Sequence, residues 1–204
     1  MKTIAVAGLI GSGKSAFARM LRDELSGYLF DCDSVCAEII RKDDMKDVFG
    51  FSLAIDILQE KKRFISDYIF GNAALREKYE QYIWSKCADE FKSALKTERK
   101  RGRNVIILDA PLLFQAGFER HADKVVLVEA DREMRRRRFI ARGGCESDFD
   151  TRDELQRAFF SANGERIGHR VWRTVENNSD NIGTLKDAAR AIASELKPHT
   201  LSSV

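Results

Sequence analysis

Residues 8–15 read GLIGSGKS, between an apolar, β-prone run at residues 4–7 and a run carrying Phe17, Met20, Leu21 and Leu25 at helical spacing. Gly8, Gly13, Lys14 and Ser15 fill every fixed position of G-x-x-x-x-G-K-[ST]. A strand that passes through glycines into a helix opening on Lys-Ser restricts the fold to an α/β sheet with its ligand at the strand's carboxyl end. Glycines let main-chain N–H groups curl around phosphate oxygens, where side chains would intrude. The helix beginning near Lys14 adds its positive end. Residues Gly8, Leu9, Ile10, Gly11, Ser12, Gly13, Lys14, Ser15 and Ala16 are therefore expected to hold a nucleoside triphosphate. Lys14 should reach its β- and γ-phosphates, and Ser15 should ligate the Mg²⁺ that travels with ATP.

Further strands are predicted at 28–31, 104–109, 124–129 and 173–177, with helices at 15–25, 33–42 and 184–196. Alternation of this kind behind a phosphate-binding glycine turn implies an α/β P-loop fold, a five-stranded parallel sheet flanked by helices, as one domain over residues 1–204. Residues 43–103 read as mostly helical, broken near Gly50 and Gly71. That block is too long for a simple crossover and is assigned as a substrate-side helical insertion. Residues 142–151, RGGCESDFDT, are expected to form a mobile loop within a lid region spanning 135–165.

Composition excludes several classes. Of the 204 residues, 44% are hydrophobic and 33% charged, enough for a core under a charged surface. No apolar run approaches the ~20 residues that span a bilayer, and no secretory leader is visible. Cys32, Cys36, Cys87 and Cys145 form no CxxC pair and no zinc spacing, which points to buried structural thiols and a reduced, cytoplasmic compartment. A net charge of +3 is too small to imply nucleic acid. The run DREMRRRRFIAR (131–142) lacks interleaved aromatics, and KTERKRGR (96–103) reads as a solvated helix C-terminus. The expected partner is a small molecule, with no membrane and no nucleic acid, the protein being a monomer or weak homo-oligomer.

Among nucleotide-dependent proteins, a GTPase needs NKxD, but NNSD (177–180) lacks the lysine. A transporter ATPase needs LSGGQ, and LSGY (25–28) stops short. A compact small-molecule kinase remains, which requires a base, cations for the migrating phosphoryl, and a lid. Asp31 and Asp33 end the second strand and would share a face if the strand persists. One of them can accept a hydroxyl proton, although Asp33 could equally cap the next helix. Arg138 and Arg142 lie four apart on one helical face and could neutralise the transferring phosphoryl. Asp109 ends the third strand and could hold Mg²⁺ through water, or serve structurally before Pro111.

With these residues assembled, the chain resembles the dephospho-coenzyme A kinase family across most of its length. GLIGSGKS is similar to that family's P-loop, and FDCDSV (30–35) to its DAD segment, which implies Asp33 as catalytic base beside Asp31 on the substrate side. KKRFISDYIF (61–70) resembles its acceptor helix, giving Arg63 an acceptor-site role. DAPLLF (109–114) is similar to its Pro-Leu-Leu element, which puts Leu112 on the substrate. Arg138 and Arg142 fall where its lid arginines sit, and VENNS (175–179) places Asn177 beside adenine. The resemblance implies ATP-dependent phosphorylation of the ribose 3′-hydroxyl of dephospho-coenzyme A. Leu9, Gln115, Glu80-Gln81 and Val171-Trp172 depart from its usual residues, and the lid stretch lacks its usual glutamine. The competing readings are a kinase for another hydroxylated acceptor and a nucleotide-binding regulator without phosphotransfer.

Overall fold

The six residues KTIAVA, with β-branched Thr3, Ile4 and Val6 among them, form strand β1 (Lys2–Ala7), and all but the first are buried. In the computed structural model, which describes residues 1–69 and 71–196, β1 is the middle strand of a five-stranded sheet. The order is β2-β3-β1-β4-β5, with β2 (Tyr28–Asp31), β3 (Val105–Asp109), β4 (Lys124–Glu129) and β5 (Val171–Glu176). β1 runs parallel to β3, with Ile4 opposite Ile107, and parallel to β4, with Val6 opposite Val126; β4 is parallel to β5. Strands covered on both faces explain these continuous apolar runs, and the expected α/β parallel sheet is the one that forms. Because β3 and β4 lie on opposite sides of β1, the chain reverses direction around it, and the crevice opens at the carboxyl end of β1.

Helix α1 (Lys14–Glu24) buries Phe17, Ala18 and Leu21 in one core with Ile4, Val6 and, from α9 (Ile182–Leu196), Leu185, Ala189 and Ile192. Each of the larger side chains, the phenylalanine, leucines, isoleucines and valine, contributes about 1.5–3 kcal/mol by leaving water. That face fixes α1, whose N-cap Gly13 provides no side-chain hydrogen bond. β5 begins at Val171, two residues earlier than the predicted 173, and the register slips between Val125 and Val126. Trp172 accounts for the extension. Its ring lies 3.8 Å from Lys124 Nζ and 4.9 Å from the Arg173 guanidinium, cation–π contacts that secure the edge strand.

The chain divides into two compact units. Residues 1–30 and those from Glu98 onward carry the sheet, and Asp31–Thr97 form the other. The second unit holds α2 (Cys32–Lys42), α3 (Lys46–Phe49), α4 (Leu58–Ile69) and most of α5 (Ala73–Lys100). Its own core comprises Ile40, Met45, Leu53, Ile65 and Ile83. Residues 43–103 hold α3, α4 and α5 with breaks at Gly50 and Gly71, where φ is +80° and +76°, while the compact unit itself runs from Asp31 to Thr97. Phe70, the end of the KKRFISDYIF stretch, lies outside the described residues. Cys32 and Cys87 are buried and Cys145 is exposed. A hydrogen bond to Cys87, then burial, raise the Cys36 thiol, and Cys87 is pushed up to about 12, first by its hydrogen bond to Cys32, so these groups stay protonated thiols.

Three local expectations are corrected. Strand β2 does not persist past Asp31, so Asp31 and Asp33 are not strand neighbours on one face. Helix α2 starts at Cys32, and its cap is Asp31, whose carboxylate accepts from Ser34 N at 3.1 Å and Ser34 Oγ at 3.0 Å. The segment 142–151 is not a loop: α6 (Arg132–Ala141) is followed by α7 (Glu146–Ala162) after four residues. Glu146 and Asp148 in the first turn of α7 complement its dipole and let the helix start early. At the end of α5 the basic residues of the 96–103 run are exposed as expected, but Glu98 among them is buried, accepting from Arg101 at 2.7 Å and Arg103 at 3.1 Å. The remaining helix, α8 (Gly164–Arg170), leads into β5. Among the described residues, no helix is long and apolar enough to cross a membrane.

Candidate active site

The glycine loop leaves β1 and closes on itself through Ser12 N–H, which donates to Leu9 O at 3.0 Å. The first helical bond of α1 is Phe17 N–H to Gly13 O, at 3.0 Å. The N–H groups of Lys14, Ser15 and Ala16 therefore precede it, the orphan donors that make a helix N-terminus attractive to anions. Gly11 (φ +79°) and Gly13 (φ +95°) are left-handed. A Cβ on Gly11 would sit 2.3 Å from Arg135 O, and one on Gly13 would sit 2.4 Å from Asn177 Nδ2. Glycine is thus required at both by conformation and by neighbours.

Lys14 Nζ lies 3.1 Å from Asp109 Oδ1 and 3.2 Å from Ser15 Oγ, so one ammonium bridges the tips of β3 and α1. The two ion-pair side chains are only 14% and 5% exposed. The Lys14 contact is ionic rather than an aligned hydrogen bond, which leaves Asp109 Oδ1 with accepting capacity. Ser12 Oγ is buried with no hydrogen-bond partner among the described residues, a further polar atom within the loop itself. Ser15 and Asp109 together offer the hard oxygen donors that Mg²⁺ takes alongside water and phosphate oxygens.

Asn177, just past β5, is buried at 7% exposure and ties the loop to the sheet. Its N–H donates to Glu129 O at 2.8 Å, and its Nδ2 donates to Ser12 O at 2.8 Å. Arg138 in α6 donates to Asn177 O at 2.9 Å, to Ser179 O at 2.7 Å and, at 3.5 Å, to Asn177 Oδ1. Its guanidinium is here a brace on the residues after β5. Arg142, exposed at the end of α6, turns back to donate from Nε to Arg138 O at 3.2 Å.

Sequence reasoning missed Arg135, Asp153 and Gln156. Arg135 is 3% exposed and Asp153 1%, and they form an ion pair at 2.5 Å. Arg135 Nε donates to Ala130 O at 3.0 Å, and its NH1 also reaches Ile10 O at 3.2 Å. Ile10 N–H donates in turn to Gln156 Oε1 at 2.7 Å. Of the other arginines in the run, Arg132 meets Asp150 and Asp153, Arg136 meets Glu146, and Arg137 meets Asp180. A signal was present: Arg135, Arg138 and Arg142 share one helical face at spacings of three and four, and Arg135 lies at its start.

The sheet-bearing unit therefore brings the loop residues, Lys14, Ser15, Asp109, Arg138 and Asn177 together. Leu112, in the turn after β3, is exposed while Leu113 and Phe114 beside it are buried anchors. In the other unit, Asp31 is committed to capping, Asp33 is exposed in the first turn of α2, and Arg63 is exposed on α4 with Asp67 4.0 Å away.

Comparison with known proteins bears on what this arrangement does. The family model described as dephospho-CoA kinase matches residues 2–179. A dephospho-CoA kinase of Aquifex aeolicus is 29% identical over 161 residues, covering 76% of this chain and 81% of the relative. One from Corynebacterium glutamicum is 29% identical over the full length of both chains, 100% of each. Among solved structures, TT1252 from Thermus thermophilus superposes with a TM-score of 0.73 at 26% identity, covering 96% of this chain and 98% of its own.

Proposed function

The chain belongs to the dephospho-CoA kinase family, and from that premise we propose that it transfers the γ-phosphoryl group of ATP to the ribose 3′-hydroxyl of dephospho-coenzyme A. The products are coenzyme A and ADP. The observation that carries the donor half is Lys14 Nζ held between Ser15 Oγ and Asp109 at the mouth of the glycine loop. A triphosphate entering there meets an ammonium, the orphan N–H groups of the first turn of α1, and the buried Ser12 hydroxyl. Lys14 then exchanges the Asp109 carboxylate for phosphate oxygens.

In the reaction the 3′-oxygen attacks the γ-phosphorus and forms the new O–P bond. The bond from that phosphorus to the β,γ-bridging oxygen breaks, its electron pair leaving with ADP. The hydroxyl proton passes to a carboxylate. The likeness of FDCDSV to the family's DAD segment assigns the base to Asp33, in the first turn of α2, while Asp31 serves as that helix's cap. Lys14 spreads the negative charge on the migrating group, and Arg138 and Arg142 are assigned to join it by exchanging the carbonyls they hold here for phosphoryl oxygens, the rate gain being largely positioning and electrostatics. Asn177 flanks the loop where adenine is expected, and Arg63 and Leu112 are assigned to the acceptor. Mg²⁺ would be held by Ser15 and, through water, by Asp109; when bound it neutralises charge across the β- and γ-phosphates.

Two measurements test this reading. With labelled ATP and a panel of hydroxylated acceptors, dephospho-coenzyme A should be phosphorylated far faster than acceptors lacking the pantetheine arm, and the reverse preference would overturn the acceptor assignment. Asp33→Asn should lower turnover by about 10²–10⁴-fold while ATP affinity barely moves. Near-normal turnover would remove Asp33 from the base role.

A further inference from the structure

Outside its own turn, the glycine loop is gripped by side chains of α6 and α7. Ile10 is held on both sides: its N–H donates to Gln156 Oε1 at 2.7 Å, and its C=O accepts from Arg135 NH1 at 3.2 Å. Arg135 is itself immobilised by Asp153 Oδ1 at 2.5 Å and Ala130 O at 3.0 Å, and it packs over the fully buried ring of Phe149, 5.8 Å from its centroid. The planar trans peptide makes this grip consequential. When a carbonyl points one way, the N–H of the next residue points the other way. Arg135 drawing Ile10 C=O outward therefore turns Gly11 N–H to the opposite side. Asn177 drawing Ser12 C=O outward at 2.8 Å does the same for Gly13 N–H. Alternate carbonyls are held from outside, so alternate amides face away from those holders.

We propose that Arg135, Asp153 and Gln156 are positioning residues for the phosphate loop. The carboxylate fixes the guanidinium, the guanidinium and the glutamine fix the Ile10 peptides, and the peptides set the aim of the amides that receive phosphate. None of the three touches the reacting atoms. The α6–α7 segment is then an outer brace of the donor site, and its contribution is to nucleotide affinity rather than to the acceptor. This rests on the donor half of the proposed function alone, because a loop released from its brace populates the binding shape less and weakens apparent affinity in proportion.

The test uses the full chain and Mg·ADP, measured by titration calorimetry, so that acceptor identity does not enter. Gln156→Met removes the acceptor for Ile10 N–H at nearly constant length, and Gln156→Glu retains an acceptor oxygen. Losing the part-buried partner of Ile10 N–H should raise the Mg·ADP dissociation constant about 5- to 10-fold in Gln156→Met. Gln156→Glu should stay within about 3-fold of the parent, and both melting temperatures should stay within about 6 °C of it. In Gln156→Met the KM for ATP should rise while the KM for the acceptor stays put. Unchanged Mg·ADP binding in Gln156→Met, or an equal loss in both variants, overturns the proposal. Failure of the parent protein to bind Mg·ADP would overturn the donor-site reading, and this inference with it.

Discussion

The buried pair of Arg135 and Asp153 makes a quantitative prediction about stability. Asp153 receives three arginines: Arg132 Nε at 3.0 Å, Arg135 at 2.5 Å and Arg157 Nε at 3.3 Å. Arg132 and Arg157 are 47% and 56% exposed, so water can replace the carboxylate for them. Arg135, at 3% exposure, has no such recourse. Asp153→Asn therefore strands one buried guanidinium, and breaking a buried pair in that way costs about 3–5 kcal/mol. For a chain of this length each kcal/mol moves the melting temperature by about 2–4 °C, so a fall of about 6–20 °C is expected. The assay is thermal unfolding followed by far-UV circular dichroism, with Asp180→Asn as a control. Asp180 pairs with Arg137 at the surface, and its loss should stay within about 2 °C. Combining Arg135→Gln with Asp153→Asn removes both charges and should recover at least about half of the single-variant loss. A single variant no worse than the control, or strict additivity in the double variant, would refute the claim that the stranded charge is what matters.

Two further outcomes follow from geometry. Gly13→Ala forces a Cβ into a φ of +95° and to 2.4 Å from Asn177 Nδ2; about 1–3 kcal/mol of backbone strain, with Asn177 displaced from Ser12 O, should weaken Mg·ADP binding more than about 10-fold, and unaltered calorimetric binding would contradict this. Burial pushes the Asp43 carboxyl up, but the Met45 N–H, the Tyr82 hydroxyl and Lys86 outweigh it, leaving the group below the usual carboxylate range. A depressed folded-state value means stability present above the unfolded pKa of about 3.9 and lost as pH falls through the folded one. Asp43→Asn should therefore flatten the acid limb of urea-unfolding midpoints measured below about pH 5, and an unchanged slope would exclude Asp43 as its source.

Much of the sheet was legible because its strands are covered on both faces and so read as bare apolar runs, as in residues 124–129 and 105–109. The glycine loop was legible for a different reason: phosphate binding dictates residue types at fixed spacing, and the left-handed Gly11 and Gly13 are local demands. What sequence could not convey were contacts distant along the chain. Nothing in an arginine run says that Arg135 turns inward to Asp153 while Arg137 turns outward to Asp180. Gln156, 146 positions from Ile10, carries no motif at all. The early start of α7 was missed because Gly143-Gly144 dominated the reading, although Glu146 and Asp148 were visible first-turn signals. At β2, the strand was read correctly to its last residue, yet the capping duty of Asp31 belongs to the following helix and separates it from Asp33 in role.

The sheet-bearing unit is assembled from two pieces of polypeptide, residues 1–30 and those from 98 onward, and its central strand is the first to be made. As the chain leaves the ribosome, β1 emerges with neither of its neighbours, since β3 and β4 begin at Val105 and Lys124. Until Val105 and the residues after it have been made, one of the most water-averse segments of the sheet has no neighbouring strand, whereas Asp31–Thr97 is contiguous and exits with its own apolar cluster complete. Ribosome pausing before residue 105 would prolong that exposure, and a holdase chaperone would find β1 as its client strand.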